Sequence, residues 1–381
     1  MPISAIRNVL IVGGGIGGLT AAVAFRRRGI AVDLVELNAR WTVAGVGIIQ
    51  PNNTLRALHH VGLAKRCVEN GTGYPGWRIH DKDGRHLMDA PTSNEAAPEY
   101  PPVNGLTRPM LHQIILEAAL EGGANIELGN TIKSLEDPGD KVHVVFVDGQ
   151  RRDYDFVVGA DGIYSKVRGI LFGDRFKPQF TGQAVWRYNL PRPSEVEWGE
   201  IYFGPDSKVG LVPMSSTLMY MFLVTAEPDN PWMDRERLAE LMRQRLSAYT
   251  GLIAELREQI LDPSGVVYKP MENVAVTNPW GKGRVLLIGD AAHATTPHLS
   301  QGAAMAIEDA VLLAELLSRD CTVSALVQEF MSRRYHRANF VANSSNQIAA
   351  WELEEWAGIH NTDARPGQLL HSATAKLMEE Y

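Results

Sequence analysis

The chain has 381 residues, 45% of them hydrophobic and 21% charged, the mix of an ordinary globular protein long enough for two or three domains and for a core that needs no covalent staples. Its 37 basic and 44 acidic residues leave a net charge of −7, which argues against a nucleic-acid binder and against electrostatic attachment to an anionic membrane. Two cysteines, Cys67 and Cys321, cannot build a disulfide framework or a four-cysteine zinc site, so a reducing, cytoplasmic setting is expected.

Residues 8–12 (NVLIV) are apolar and β-branched and run straight into the cluster Gly13–Gly18, the pattern of a buried parallel strand followed by a turn. Leu19 to Arg28 carries small and apolar residues at helical spacing and ends in basic residues before Gly29, a stop signal. Residues 31–36 (AVDLVE) predict a second strand, so the first forty residues form one β-α-β unit. The uncharged run Val9–Phe25 is too short and too rich in glycine for a spanning helix, and it lacks the basic start and cleavage site of a leader.

Helical patterns follow over 53–61 and 109–121, separated by a Gly-, Pro- and polar-rich excursion, Gly71–Tyr100, with short extended pieces such as WRIHD. Residues 142–147 and 154–158 read as a hairpin leading into a strand. From Thr181 short candidate strands recur at 183–190, 200–203, 208–213 and 218–225, then amphipathic helices at 235–249 and 252–260 and a strand at 266–269. Such a β-rich run with later helices predicts a second domain on an antiparallel sheet. Parallel-strand texture returns at Arg284 (RVLLIGD), a long helix is predicted from Gly302 to Leu317, and the tail after Cys321 reads as helical.

Three stretches carry chemistry. Gly13, Gly15 and Gly18, with Ile16 and Gly17 between them, fit G-x-G-x-x-G between a strand and a helix. The first glycine permits the tight turn, the second lets backbone approach a pyrophosphate, and the third lets helix pack on strand. The helix start offers free N–H groups to phosphates, and Glu36, ending the second strand, can bond a ribose. This motif alone does not separate FAD from NAD. The second stretch, Val157 to Arg168 (VVGADGIYSKVR), brings a strand to Asp161-Gly162 and a basic helix. In the third, Arg284 to His293, a buried strand delivers Asp290 at its carboxyl end, where open α/β sheets bind ligands. His293 and His298 lack a carboxylate or cysteine at supporting spacing, so no metal site is expected.

In this order and at these separations the three stretches resemble the flavoprotein aromatic hydroxylases, single-component FAD-dependent monooxygenases such as para-hydroxybenzoate hydroxylase and salicylate hydroxylase. The resemblance runs from residue 8 to about residue 340. It implies an α/β fold in which a Rossmann-like FAD-binding domain (1–73, 100–178 and 272–340) is interleaved with a smaller α+β substrate domain (74–99 and 179–271), followed by a helical C-terminal segment (341–381). By the same resemblance, Gly13, Gly15, Ile16, Gly17 and Gly18 would hold the FAD pyrophosphate, Glu36 the adenosine ribose, and Arg108 the ribityl and phosphate region. Asp161 and Gly162 belong to a motif implicated in both FAD and NAD(P)H binding, and Asp290 would bond the ribityl chain. Pro297 and the stretch Gln301-Gly302-Ala303 would border the isoalloxazine ring, and Gly47 would belong to the cofactor-binding residues. Three departures stand out: Ser300-Gln301-Gly302 replaces Gly-Gln-Gly, Ala304 replaces an asparagine, and the segment 45–50 lacks the catalytic histidine of some relatives.

The implied reaction uses NADH or NADPH to reduce FAD, dioxygen to form a peroxyflavin, and hydroxyl transfer to an aromatic or N-heteroaromatic ring. A side chain must help ionise the ring hydroxyl; the candidates are Tyr188, Tyr202, Tyr220 and His298 beside Pro297. Arg187 could steer a carboxylate or the nicotinamide, and Met214, Met219 and Met221 could line an adaptable pocket. The expected partners are thus a small aromatic substrate, dioxygen and NAD(P)H, with the chain a monomer or homodimer. Alternatives are another FAD-dependent oxidoreductase of this fold, an NAD-dependent dehydrogenase resting on the first motif alone, and a non-catalytic flavin sensor. A flavin halogenase would carry Trp-x-Trp-x-Ile-Pro, which is absent.

Overall fold

The computed structural model describes residues 6–43 and 45–381. The apolar strand Asn8–Val12 lies inside a six-stranded sheet of order Gly281–Lys282, Val285–Leu287, Phe156–Gly159, Asn8–Val12, Ala31–Glu36 and Asn125–Leu128. All neighbours are parallel except the first pair, and the inner strands are buried on both faces, as their unbroken apolar sequences require. Helix Ile16–Arg26 packs on this sheet and against helix Gly302–Leu317. The latter is buried on nearly every side from Ala304 to Leu317.

The expected hairpin is shorter than its pattern. Val142–Phe146 pairs with Arg151–Tyr154 in a three-stranded meander, while Phe156–Gly159 leaves it for the parallel sheet. Asp155 makes the switch: its carboxylate accepts from the N–H groups of Arg7 (2.8 Å) and Asn8 (3.0 Å), pinning the chain beside the first strand.

The second large sheet has seven strands, ordered Val267–Asn273, Gln179–Pro191, Leu218–Ala226, Ser207–Pro213, Gly199–Phe203, Gly76–Asp81 and His86–Pro91. The excursion after Gly71 thus supplies its far edge, and Gly76–Asp81 pairs parallel with Gly199–Phe203. Side chains alternate between the faces. Trp186, Leu190, Met219, Met221 and Leu223 pack under helices Leu238–Arg245 and Gly251–Arg257; Val185, Tyr220, Phe222 and Val224 take the other face. A small sheet (Gly47–Pro51, Val103–Thr107, Thr72–Tyr74) lies against that second face.

The tail departs from expectation most. Val323–Trp356 is one helix of 34 residues, running straight through the boundary drawn at residue 340, and Pro366–Met378 follows it. The boundaries at 73 and 271 likewise fall inside strands Thr72–Tyr74 and Val267–Asn273. Contacts hold the long helix together across its length: Arg334 binds the Gly302–Leu317 helix, and Glu352 binds the seven-stranded sheet. Among the described residues no helix is long and apolar enough to cross a membrane.

Candidate active site

The glycine loop divides into packed and open positions. Gly13 has φ +109°, and a Cβ there would stand 2.4 Å from the Ala160 carbonyl oxygen. A Cβ on Gly18 would stand 2.0 Å from the Gly13 oxygen, and one on Gly17 3.1 Å from Ala306. Gly15, the residue that caps helix Ile16–Arg26, has nothing within 4 Å on its Cβ side. Packing therefore requires the first and last glycines, while Gly15 faces open space at a helix N-terminus, where an anion gains most. Glu36 closes the loop: its carboxylate accepts from Gly14 N (2.9 Å), Asn38 N (2.9 Å) and Asn38 Nδ2 (2.8 Å). His112, which the sequence reading did not select, backs the loop by donating from Nε2 to the Gly14 carbonyl at 3.1 Å and meets Trp41 edge-on. Burial lowers its pKa, favouring the neutral ring.

Asp161 is less available than its motif suggested. Its carboxylate accepts from Ser165 Oγ (2.5 Å), Lys166 N (2.7 Å) and Val167 N (3.0 Å), capping helix Lys166–Phe172. Its acceptors are thus committed to its own turn, and burial raises its pKa against these bonds. Neighbouring Gly162 (φ +76°) opens on space. Arg168 links this motif to the third, donating to the carbonyls of Ile163 (2.6 Å), Phe176 (2.8 Å) and Ala291 (3.0 Å). Asp290 follows the sharp turn at Gly289 (φ +57°), is exposed, and has no side-chain partner among the described residues. Arg108 is also exposed, at the start of helix Arg108–Glu121, and its N–H holds the Val46 carbonyl at 2.8 Å. Gly302 opens its helix with clear space around its Cβ side, beside half-buried Ala303. An open helix start at Gly15, a free carboxylate at Asp290 and an open helix start at Gly302 suit a pyrophosphate, a polyhydroxyl chain and a ring edge in turn. The residues present fit FAD.

A buried polar network that the sequence reading missed holds these pieces. Asp309 accepts from Gly289 N (2.9 Å), His293 Nε2 (2.6 Å) and Arg334 Nε (2.7 Å). Glu308 accepts from Arg334 (2.6 Å), Arg337 (2.8 and 3.0 Å) and Asn53 (3.1 Å), and Asn53 and Gln301 bond each other's amides at 2.9 and 3.1 Å. Burial opposes ionisation of Asp309, but the charges of His293 and Arg334 prevail and hold its carboxyl down at about 2. The network clamps the Gly289-Asp290 turn and the Gln301-Gly302 helix start together. Its signal was the adjacent pair Glu308-Asp309 in the middle of a helix whose one other charged residue is Glu315 near its end.

The second face of the seven-stranded sheet meets the Gly47 segment at Tyr220 and, through Lys208 and Glu352, the loop that carries His298. Strand register sets side chains there in rows: Lys208, Val224, Val185 and Lys269; then Gly210, Phe222, Arg187 and Val267; then Val212, Tyr220 and Asn189. The Phe222 ring lies on Gly210, where a Cβ would come within 2.1 Å of it. The Tyr220 ring presses on Gly47, which a Cβ would bring to 1.9 Å, and Met214 Sδ is 2.6 Å from the same point. Asn189 Nδ2 donates to the Gly45 carbonyl at 2.6 Å. Neither the Arg187 guanidinium nor the Tyr220 hydroxyl has a hydrogen-bond partner among the described residues; burial lowers the Arg187 pKa, with Tyr220 beside it and Arg108 a charged neighbour, and burial raises that of Tyr220.

The other candidates stand elsewhere. Tyr188 and Tyr202 face the helix layer: the Tyr188 hydroxyl accepts from Asp262 N at 3.4 Å, and Tyr202 stacks on His80 with centroids 4.6 Å apart. Strand alternation puts them, with Met219 and Met221, on the face of the sheet away from Arg187 and Tyr220. His298, after Pro297 in the short turn Pro297–Leu299, is buried with both nitrogens engaged, by Thr296 Oγ1 (2.9 Å) and Glu352 Oε2 (3.1 Å). It is therefore not a free base. The histidines do have carboxylate partners, Asp309 and Glu352, which sequence spacing concealed. Among the described residues no three His, Cys, Asp or Glu side chains converge to hold a metal ion.

A family model described as an FAD binding domain matches residues 7–345, across all three motifs. The chain belongs to the flavoprotein aromatic hydroxylases. The 2-heptyl-3-hydroxy-4(1H)-quinolone synthase of Pseudomonas aeruginosa is 33% identical over 368 residues, covering 94% of each chain. The 3-amino-4-hydroxybenzoate 2-monooxygenase PtnB3 of Streptomyces platensis is 32% identical over 326 residues, 81% of this chain and 79% of its own. Among solved structures, Klebsiella pneumoniae HpxO complexed with FAD and uric acid superposes with a TM-score of 0.81 at 23% identity, covering 98% of this chain and 93% of that one; at that identity the likeness speaks for the fold. The flavoprotein hydroxylase family settles two alternatives: the chain is an FAD-dependent monooxygenase, neither an NAD-dependent dehydrogenase nor a non-catalytic sensor.

Proposed function

We propose that this monooxygenase uses NADH or NADPH and dioxygen to hydroxylate a small aromatic or N-heteroaromatic ring that bears an oxygen substituent. The observation that carries the reading is the sheet face that meets the Gly47 segment: an aromatic floor, Phe222 on Gly210, flanked by two unpartnered donors, Arg187 and Tyr220. A flat ring suits the floor, and a ring oxygen suits the donors.

Gly15 and its helix start would hold the FAD pyrophosphate, Asp290 the ribityl hydroxyls, and the backbone at Gln301-Gly302 the ring edge. When bound, FAD supplies two-electron transfer from the nicotinamide and activation of dioxygen. The chain's own residues bind, orient and shield. Arg187 holds an anionic oxygen of the ring by charge-assisted bonds. The Tyr220 hydroxyl, kept protonated by burial, donates to the ring's oxygen substituent. Phe222, Tyr220 and Met214 exclude water, which strengthens both contacts. With Tyr188 and Tyr202 on the other face and His298 bonded at both nitrogens, this face offers no free carboxylate or imidazole base among the described residues, so the substrate's own acidity beside Arg187 must favour its ionised form.

The test is NAD(P)H consumption by the FAD-loaded enzyme with hydroxybenzoates, hydroxypyridines and hydroxyquinolines, and product analysis by mass spectrometry. At least one ring compound should accelerate consumption and gain one oxygen atom. One slow rate with every compound would overturn the reading. Arg187→Met should raise KM for an anionic ring roughly 10- to 100-fold, the value of a hydrogen bond to a charged group, and raise it less for a neutral analogue that lacks the anionic oxygen.

A further inference from the structure

Near the end of helix Val323–Trp356, the Glu352 carboxylate is buried and bound on both oxygens. Oε1 accepts from Lys208 Nζ, in the first row of the sheet face. Oε2 accepts from His298 Nε2 (3.1 Å), on the loop before Gln301-Gly302, and from Gln183 Nε2 (3.2 Å). Burial opposes ionisation of Glu352, but the Lys208 ammonium and the His298 bond prevail and hold its carboxyl at about 2. Burial and the Lys208 charge lower the His298 pKa. His298 is then neutral: Nε2–H donates to Glu352, and bare Nδ1 accepts from the Thr296 hydroxyl. Lys208 and His298 are the charged or titratable groups that face Glu352, from the sheet and the loop; Gln183 is neutral.

Stability does not require such a cluster, since well-packed apolar residues serve a core as well as a buried ion pair. Its distinction is its location, where the sheet, the loop and the tail helix meet. We propose that Glu352 is a positioning residue of the hydroxylation site: by holding Lys208 with one oxygen and His298 with the other, it sets the distance between the sheet face that carries the ring and the loop that borders the flavin. This rests on the ring-hydroxylation reading above. In productive turnover NAD(P)H, a proton and dioxygen yield one oxygen atom in the ring and one in water. A ring held out of reach leaves the same NAD(P)H, proton and dioxygen to yield hydrogen peroxide. An ångström of slack suffices for large losses.

The test uses the FAD-loaded full chain with Glu352→Gln, Lys208→Met, Lys208→Arg and the double variant Lys208→Met/Glu352→Gln. Product and peroxide are counted per NAD(P)H, and the temperature of FAD release is followed by flavin fluorescence from pH 4 to 9 without substrate. Glu352→Gln should cut the product fraction about threefold or more at unchanged flavin content, and Lys208→Arg should retain it. Lys208→Met removes the charge that keeps Glu352 ionised, so its release profile should gain a pH-dependent step relative to wild type, and the double variant should lose that step. A wild-type product fraction in Glu352→Gln overturns the proposal. So does a flat Lys208→Met profile, or a step that persists in the double variant. If no ring compound accelerates NAD(P)H consumption by the wild type, the ring-hydroxylation reading fails by itself, and the release profiles still decide whether Glu352 makes this tie.

Discussion

Replacing Gly15 by valine should separate cofactor binding from folding. Gly15 caps its helix with φ −74° and ψ −177°, extended backbone open to any residue, and no atom stands within 4 Å of its Cβ position. The fold should lose about 1 kcal/mol or less, the difference among weak caps. Bound FAD should lose much more, because a branched side chain there holds the pyrophosphate off the helix start. Losing two charge-assisted backbone bonds of about 1.5–3 kcal/mol each amounts to about 3–6 kcal/mol, or roughly 10²- to 10⁴-fold in Kd. Gly18→Ala is the control in the opposite sense: its Cβ would sit 2.0 Å from the Gly13 oxygen, and such overpacking should cost about 3 kcal/mol or more of stability. Flavin bound per chain after gel filtration, FAD titration of the deflavinated protein and its thermal unfolding read the two effects apart. Stoichiometric flavin in Gly15→Val, or a Gly18→Ala protein as stable as wild type, would refute the reasoning.

Asp290→Ala should weaken FAD binding without lowering the melting temperature of the deflavinated protein, since that carboxylate is exposed and unpartnered; unchanged affinity in a FAD titration removes it from the site. Arg334→Met strands two buried carboxylates, Glu308 and Asp309, and should cost about 3–5 kcal/mol by denaturant unfolding; a loss below about 1 kcal/mol contradicts the network's role. In acid, three of the depressed groups, His298, Glu352 and Asp309, act in one direction. Neutral His298 resists protonation below its ordinary 6.5, and Glu352 and Asp309 stay ionised down to about 2. The unfolded chain therefore binds more protons than the native one, and stability should fall as pH drops below 6.5, most steeply between about 4.5 and 2. A melting temperature constant from pH 6 to 3 would argue against these assignments.

The chain's local physics was legible in the sequence. An unbroken apolar strand, glycines where a Cβ would strike the next strand or turn, and an acid at the end of the second strand determined the first unit, and the three motifs in order determined the family and its cofactor. A recurrence of short apolar and aromatic strands followed by helices likewise marked the second sheet. Sequence alone did not decide which face of that sheet looks at the cofactor loops, because register and packing partner are properties of the assembled sheet. Tyr188 and Tyr220 therefore look equivalent in sequence yet stand on opposite sides. Nor did it disclose partners distant along the chain. His298 and Glu352 are separated by 54 residues, His293 and Asp309 by 16, and only the packing of the long helices against sheet and loop brings each histidine to its carboxylate. Asp161 shows the same limit at short range: its motif was plain, but whether its oxygens serve a ligand or the next helix turn depended on backbone geometry. Short-range sterics and periodicity determined the elements and the cofactor loop. The tertiary structure decided which side chains remain free to act, because each buried polar group binds whatever partner the fold brings within reach.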